Sequence, residues 1–600
     1  MRAIRVLAPL LLAATLVAPV QAEPVSWTGP LSTRGRYIVD ANGDRFKLKS
    51  GNWHGASGTW NGSGDINDPA NHHSGEKADQ VPLALDRAHV DEIIDSFEEL
   101  GVNSVRLPFS NQMIKETQPV TGLKDFSGKT PLQVYDAVVE RLTQRKIAVI
   151  LNNHTNTSRW CCGVDGNERW NTSQSTDQWI NDWAFMANRY KNNKRVVGAD
   201  LYNEVRRTVW DDPNWGWGNQ HDWQRASQQA ADRIMETSPD LLVMVEGINW
   251  TGIPVDGLPH GRPTLEPVRN LSHTLLSTNK LVYAAHFYGY TGPNHTGATG
   301  SGETSDPRYQ DLTAQQLTET VRRQALYVLQ ETQKHFTAPV WISEFGVGGR
   351  DETNPKARAW FENFVNYLIE TDADFAYWPL VGFHTNRGGN GWALMHWDAA
   401  GNRMGLFDGD DWRAAAWRRL VASGRTGQIP EVRRWNMLTL DHADQVQSRK
   451  VRAQPDWNSG ARKGVCPDGE VLAGLSHTGN RGLCTSGPQW TETTVVKDER
   501  YVQQDWASTF TKVQCPPGTA AIGYSARGSA FDGLLCAKAP TGTATRTVWF
   551  DRSDSRPQDV GDWASGHYKG QCDQSEHVAG VAYTGRDGRK PAALLCRKSA

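Results

Sequence analysis

Two apolar runs each deliver a glutamate: VVGADLYNE closes on Asn203 and Glu204, and APVWISEFG carries Glu344. A carboxylate at the end of a buried strand is normally paired or in use, because burying it otherwise is costly. Two of them at equivalent ends of parallel strands are the minimum equipment for cleaving a glycosidic bond. One protonates the leaving oxygen, and the other attacks or supports the anomeric carbon. Glu204 suits the acid, since Asn203 beside it offers an amide to a substrate hydroxyl. Glu344 suits the nucleophile, since Arg106 offers a two-pronged cation and Tyr288 a hydroxyl donor. His286 is placed to orient the acid side, and Trp378 to floor a pocket beneath a sugar ring. Each residue also has a plain reading: Glu344 as a structural partner of Arg106, His154 as a satisfied core histidine. Only their convergence decides for chemistry.

The elements that must position them repeat as strand then helix from about residue 23 to 423. Eight short apolar strands are expected at 46–53, 104–109, 147–154, 196–204, 241–247, 281–288, 339–346 and 374–383. Helical patterns such as HVDEIIDSFEEL and PLQVYDAVVERLTQRK lie between them. Continuous apolar strands interleaved with helices predict an α/β fold, a (β/α)8 TIM barrel, over 23–424. Trp53, Arg106, His154, Asn203, Glu204, His286, Tyr288, Glu344 and Trp378 then fall where strands give way to loops. In such a barrel those ends share one face.

The order Arg106, His154, Asn203-Glu204, His286-Phe287-Tyr288, Glu344 and Trp378 resembles glycoside hydrolase family 5, the cellulase family, over about 30–424. The resemblance implies retention through a glycosyl-enzyme, with Glu204 on strand four as acid/base and Glu344 on strand seven as nucleophile. It implies a carbohydrate substrate and no metal or organic cofactor. Two stretches depart from the family pattern. Val205-Arg206-Arg207 follows the acid where Pro is usual, and the loop after strand three reads HTNTSRWCCGVDGNERW. The expected subsite residues are Trp53, His54, Trp170, Trp210, Trp250 and Trp378, with Trp160, Trp215 and Trp217 on the same loops. A β-linked glucan is the leading substrate. A glycolipid or other β-glycoside, and a non-catalytic carbohydrate-binding barrel, are the competing readings.

Composition narrows the class. The chain has 600 residues, too many for one core, and 64 basic against 66 acidic residues leave a net charge of -2. That balance argues against nucleic acid as a partner. The 25 Trp exceed what a core needs, and stacking on sugar rings accounts for part of the excess. Arg2 and Arg5, the apolar stretch 6–19 and Val20-Gln21-Ala22 read as a secretory signal over 1–22. No stretch is long enough for a membrane span. A secreted, monomeric protein is expected.

The texture changes after a connector and first strand at 425–446. Over 447–600 a unit recurs as DWNSGARKGVC, DWASTFTKVQC and DWASGHYKGQC, each followed by a second cysteine. Three copies of a β unit predict an all-β pseudo-threefold domain, a β-prism or alternatively a β-trefoil. The unit resembles the repeat of vitelline membrane outer layer protein, which implies the prism. Sequence leaves cysteine connectivity open. Threefold regularity favours Cys466–Cys484, Cys515–Cys536 and Cys572–Cys596, each worth about 3 kcal/mol by loop closure. The adjacent Cys161 and Cys162 are either a vicinal disulfide or a reduced buried pair. The recurring Asp-Trp is expected to pack within each repeat rather than to bind sugar.

Overall fold

The computed structural model describes residues 27–58, 80–158, 166–208, 211–248, 264–292, 307–349, 354–383, 391–440, 447–452, 456–478, 480–551, 560–585 and 588–599. The expected signal at 1–22 lies outside them, as do Trp160, Cys161, Cys162, Trp210 and Trp250.

Eight parallel strands close into one barrel: Lys49–Asn52, Ser104–Ser110, Ala148–Thr155, Val196–Asp200, Leu242–Glu246, Leu281–Tyr288, Val340–Gly346 and Asp374–Tyr377. The first and eighth strands pair to complete the ring. Alternation sorts the side chains. Val105, Leu107 and Phe109 of the second strand face the helices, and Arg106 between them lies in the interior. A second cluster, including Ile150, Met244, Val282 and Trp341, fills the barrel with Leu31, Ile38 and Phe46 of the N-terminal segment.

The helices start where local chemistry says they should. Thr130 caps Pro131–Gln144 with a reciprocal bond from Gln133, and Ser175, Asp222 and Asn354 cap three others.

Two strand ends differ from the sequence expectation. The fourth strand stops at Asp200, so Glu204 sits on the loop that follows. The eighth stops at Tyr377, and Val381–Phe383 joins a separate three-stranded sheet. A cis bond at Trp378-Pro379 lies between the two segments, and proline cannot donate to a ladder.

The C-terminal region forms three four-stranded sheets around one core, a prism rather than the barrel of a trefoil. Each repeat gives its short strand to a neighbour's sheet. Arg462–Val465 pairs with Thr519–Arg527, Thr511–Gln514 with Glu576–Thr584, and Lys569–Gln571 with Glu470–Ser476. The disulfides Cys466–Cys484, Cys515–Cys536 and Cys572–Cys596 each tie such a donated strand to a strand of its own repeat. The recurring Asp and Lys have a shared task. Lys512 Nζ donates to Ala507 O, Phe510 O and Asp505, at 3.1, 2.8 and 2.8 Å. Lys569 does the same with Ala564 O, His567 O and Asp562, and Lys463 with Asn458 O, Ala461 O and Asp456. Three acceptors match the three protons of a buried ammonium. The recurring Trp differs between copies: Trp563 is fully buried, in the core shared with the barrel, whereas Trp457 and Trp506 are only partly buried against their own sheets.

The prism is seated on the barrel through Trp435, Met437, Leu483, Val560 and Trp563, which join the barrel's outer core. Thr274 Oγ1 donates to Met437 O at 2.5 Å, and His335 N to Val560 O at 2.9 Å. The Thr274 segment is itself bonded to Gln228 on the helix Trp223–Thr237, so the prism is seated against the barrel's helical layer. Beside it Glu470 is buried between the Asn436 amide, at 2.7 and 2.9 Å, and Thr278. Burial raises the Glu470 carboxyl from 4.5 to about 7, against the pull of Asn436 and Arg434.

The folded protein therefore holds a proton that the unfolded chain releases above about pH 4.5. Stability from this site should be fully present below that pH and be lost as pH rises through about 7. Thermal unfolding across pH 5 to 8 should show a decline in the wild type that is shallower in Glu470→Gln; equal slopes would refute it.

Candidate active site

At the C-terminal mouth of the barrel one buried guanidinium gathers four strands. Arg106 Nε donates to Asp200 Oδ2 at 2.7 Å. Nη1 donates to Glu344 Oε1 at 2.6 Å and Asn52 Oδ1 at 3.0 Å. Nη2 donates to Asn203 Oδ1 at 2.9 Å and Glu246 Oε1 at 3.4 Å. All five N–H groups are thereby used. Although burial disfavours its charge, Asp200, Glu344 and Glu246 hold the Arg106 guanidinium above its usual range.

Glu344 is aimed by a bulge. The sixth and seventh strands pair Ala285 with Ile342 and then His286 with Glu344, skipping Ser343. Plain alternation from the outward Ile342 would have sent Glu344 toward the helices. Its Oε2 accepts from Tyr288 OH at 2.6 Å, and burial, reinforced by that neighbouring charge, keeps the phenol protonated well above its ordinary range. Glu204 is placed by strain. It has φ +46°, a left-handed conformation costing about 1–2 kcal/mol for a residue with a Cβ. Its N–H donates to Glu246 Oε2 at 2.9 Å. His286 lies between the carboxylates, with Nδ1 2.9 Å from Glu204 Oε1 and 3.5 Å from Glu344 Oε2, and Nε2 3.1 Å from Glu246 Oε1. Burial alone would lower this imidazole, but Glu246, Glu344 and Glu204 lift it to about 10.

His154 takes the opposite state. Its Nδ1 meets Asn152 Oδ1 at 2.9 Å, and the Asn152 amide donates to Asp200. Asn152 Oδ1 is thus an acceptor, and Nδ1 carries the proton. Burial, and then Arg106, depress His154 well below its ordinary value, so it is neutral. Its ring lies parallel to Trp378 at 5.4 Å, and His54 meets the same indole at 4.8 Å. Across the site Tyr290 and Trp392 extend the wall begun by Tyr288.

The structure therefore brings together Arg106, His154, Asn203, Glu204, His286, Tyr288, Glu344, Trp378 and His54. Two expected subsite residues are not there. Asn52 points inward to Arg106, so the next residue, Trp53, points outward; it is buried against Phe97 with its indole N–H on Leu83 O. Trp170 is buried in a cluster of tilted rings with Trp179 and Trp223 and donates to Thr176. Trp215 is also buried, whereas Trp217 is 68% exposed. Sequence reasoning missed Asn52, Asp200, Glu246, Tyr290 and Trp392. For Glu246 the signal was present: LLVMVE is a third apolar run ending in a glutamate. Burial raises the Asp200 carboxyl to about 6, against the pull of Arg106.

Glu204, His286 and Glu344 bring three potential ligand atoms within 4.8 Å of one another. Arg106, Tyr288 and the imidazole already supply positive charge and donors to these carboxylates, which weakens the pull of the set on a cation.

Comparison with known proteins agrees with this geometry. The family described as cellulase (glycosyl hydrolase family 5) matches residues 48–383. An endoglucanase of Paenibacillus polymyxa is 29% identical over 400 residues, 65% of this chain and 89% of its own length. The major extracellular endoglucanase of Xanthomonas campestris pv. campestris is 34% identical over 207 residues, 33% of this chain and 40% of its own. A solved cellulase–inhibitor complex has the same fold, with TM-score 0.50, 21% identity, and coverage of 65% of this chain and 98% of that one.

Because Trp170 packs in the core, Trp170→Ala should cost about 3–5 kcal/mol of stability while leaving KM for a soluble glycan unchanged. Denaturant unfolding and steady-state kinetics read the two effects separately. A raised KM with normal stability would return Trp170 to the substrate.

Proposed function

The chain belongs to glycosyl hydrolase family 5, the cellulase family, and on that premise we propose that it cleaves internal bonds of a β-linked glucan with retention of configuration. The observation that carries the mechanism is the spacing of the two glutamates. An oxygen of Glu204 and an oxygen of Glu344 lie within 4.8 Å. That closeness is compatible with the roughly 5 Å between the carboxyl groups of retaining enzymes.

In the first step Glu344 attacks the anomeric carbon and Glu204 protonates the departing glycosidic oxygen. Arg106 and Tyr288 hold the attacking carboxylate in place. In the second step Glu204 takes a proton from water, the water attacks the anomeric carbon, and Glu344 leaves. Asn203 and the neutral His154 are positioned to receive sugar hydroxyls, with Trp378 braced by His54 and His154 beneath a ring. The glucan assignment draws on the endoglucanase relatives. Export is supported by the leader-like sequence, by three disulfides and by an extracellular relative.

Purified protein should lower the viscosity of a soluble β-glucan faster than reducing ends accumulate. Proton NMR at early times should show the β-anomer first, and Glu344→Gln should remove turnover. Early α-anomer, or full activity in Glu344→Gln, sinks this mechanism.

A further inference from the structure

Glu246 is the buried carboxylate that the two-glutamate mechanism does not use. It ends the fifth strand and is 1% exposed. Its two oxygens do different work. Oε2 accepts the backbone N–H of Glu204 at 2.9 Å, at a residue held in the left-handed region. Oε1 lies 3.1 Å from His286 Nε2, and the other nitrogen of that ring meets Glu204 Oε1 at 2.9 Å. One side chain thus holds the main chain of Glu204 by a hydrogen bond and, by charge, the imidazole that touches its carboxylate.

We propose that Glu246 is a positioning residue for proton transfer, locking the orientation of Glu204 and anchoring His286 as a doubly protonated donor to it. This rests on the reading of Glu204 as the acid/base. The groups facing His286 are Glu204, Glu246 and Glu344, with Asp200, Arg106 and the neutral His154 nearby. Glu246 spans the far side of the ring, so the imidazolium keeps a counter-charge when Glu204 is protonated. His286 therefore stays charged through both steps, and only Glu204 changes its proton.

A group that serves proton transfer matters in proportion to how much the leaving group needs a proton. A cello-oligosaccharide leaves as a poorly acidic alcohol, whereas dinitrophenolate departs unaided. Glu246→Gln keeps the shape and an acceptor but loses the charge. It should lower kcat/KM on the oligosaccharide by about a hundredfold, the scale of a general-acid contribution, and on dinitrophenyl β-cellobioside by only a few-fold. Its alkaline pH limb should also move, because the charge beside the donor has changed. Equal losses on both substrates with an unmoved pH profile would make Glu246 merely structural and overturn the proposal. Glu204→Gln run in parallel separates the two readings. If it too shows no leaving-group dependence, the acid assignment fails; if it alone does, only the role of Glu246 fails. Should Glu246→Gln not fold, histidine nitrogen NMR of the wild type decides instead. The His286 ring should remain doubly protonated to pH 8, near its value of about 10, and a neutral ring at that pH would overturn the proposal.

Discussion

Everything at the mouth of the barrel is organised around one cation with no access to water. Arg106 spends five N–H groups on residues from the first, fourth, fifth and seventh strand regions: Asn52, Asp200, Asn203, Glu246 and Glu344. A buried guanidinium is tolerated only when every donor is met. The acceptors must therefore come to it, and that requirement brings distant segments together more firmly than apolar packing alone would. Removing it would leave several carboxylates facing one another in a medium that screens them poorly. The geometry of the candidate site and the local stability of the barrel mouth thus share one interaction.

Around that cation the backbone departs from regularity at the two glutamates. A bulge turns Glu344 inward, and a left-handed residue turns Glu204. Such departures persist only where surrounding bonds over-determine them. Here Arg106 and Tyr288 hold the first, and Glu246 holds the second. The two histidines show the same economy of environment. His286 sits among carboxylates and is charged. His154, close to Arg106 and bonded to an amide oxygen, is neutral. Two imidazoles of one barrel mouth are thereby given opposite electrostatic roles.

The eight strands and the convergence of Arg106, Glu204, Glu344 and their companions were legible because buried parallel strands write continuous apolar runs with polar ends. What sequence does not carry is parity. Trp53 follows a strand as Trp378 does, but Asn52 takes the inward place and Trp53 the outward one. Glu344 would fail the same count without its bulge. Glu246 obeyed the very rule that singled out the other two glutamates, and its role emerges only from what lies beside it. Asp200 was hidden inside the run that ends in Glu204, since one acidic letter in a strand does not announce an arginine across the barrel. Trp170 and Trp215 sit on loops that return to the helical layer, a path no local pattern records.

The prism adds a constraint of a different kind. Its donated strands run cyclically, one repeat into the next, so no repeat can complete its sheet alone. Each disulfide links a donated strand to its own repeat across the boundary between two sheets, so the three together close the cycle. The Asp and Lys letters that mark the repeat in sequence turn out to be its pins, a buried ammonium gripping a loop. The prism is seated on the barrel's helical layer, through a core shared with the barrel, so the barrel and the threefold domain bury part of their apolar surface together rather than apart.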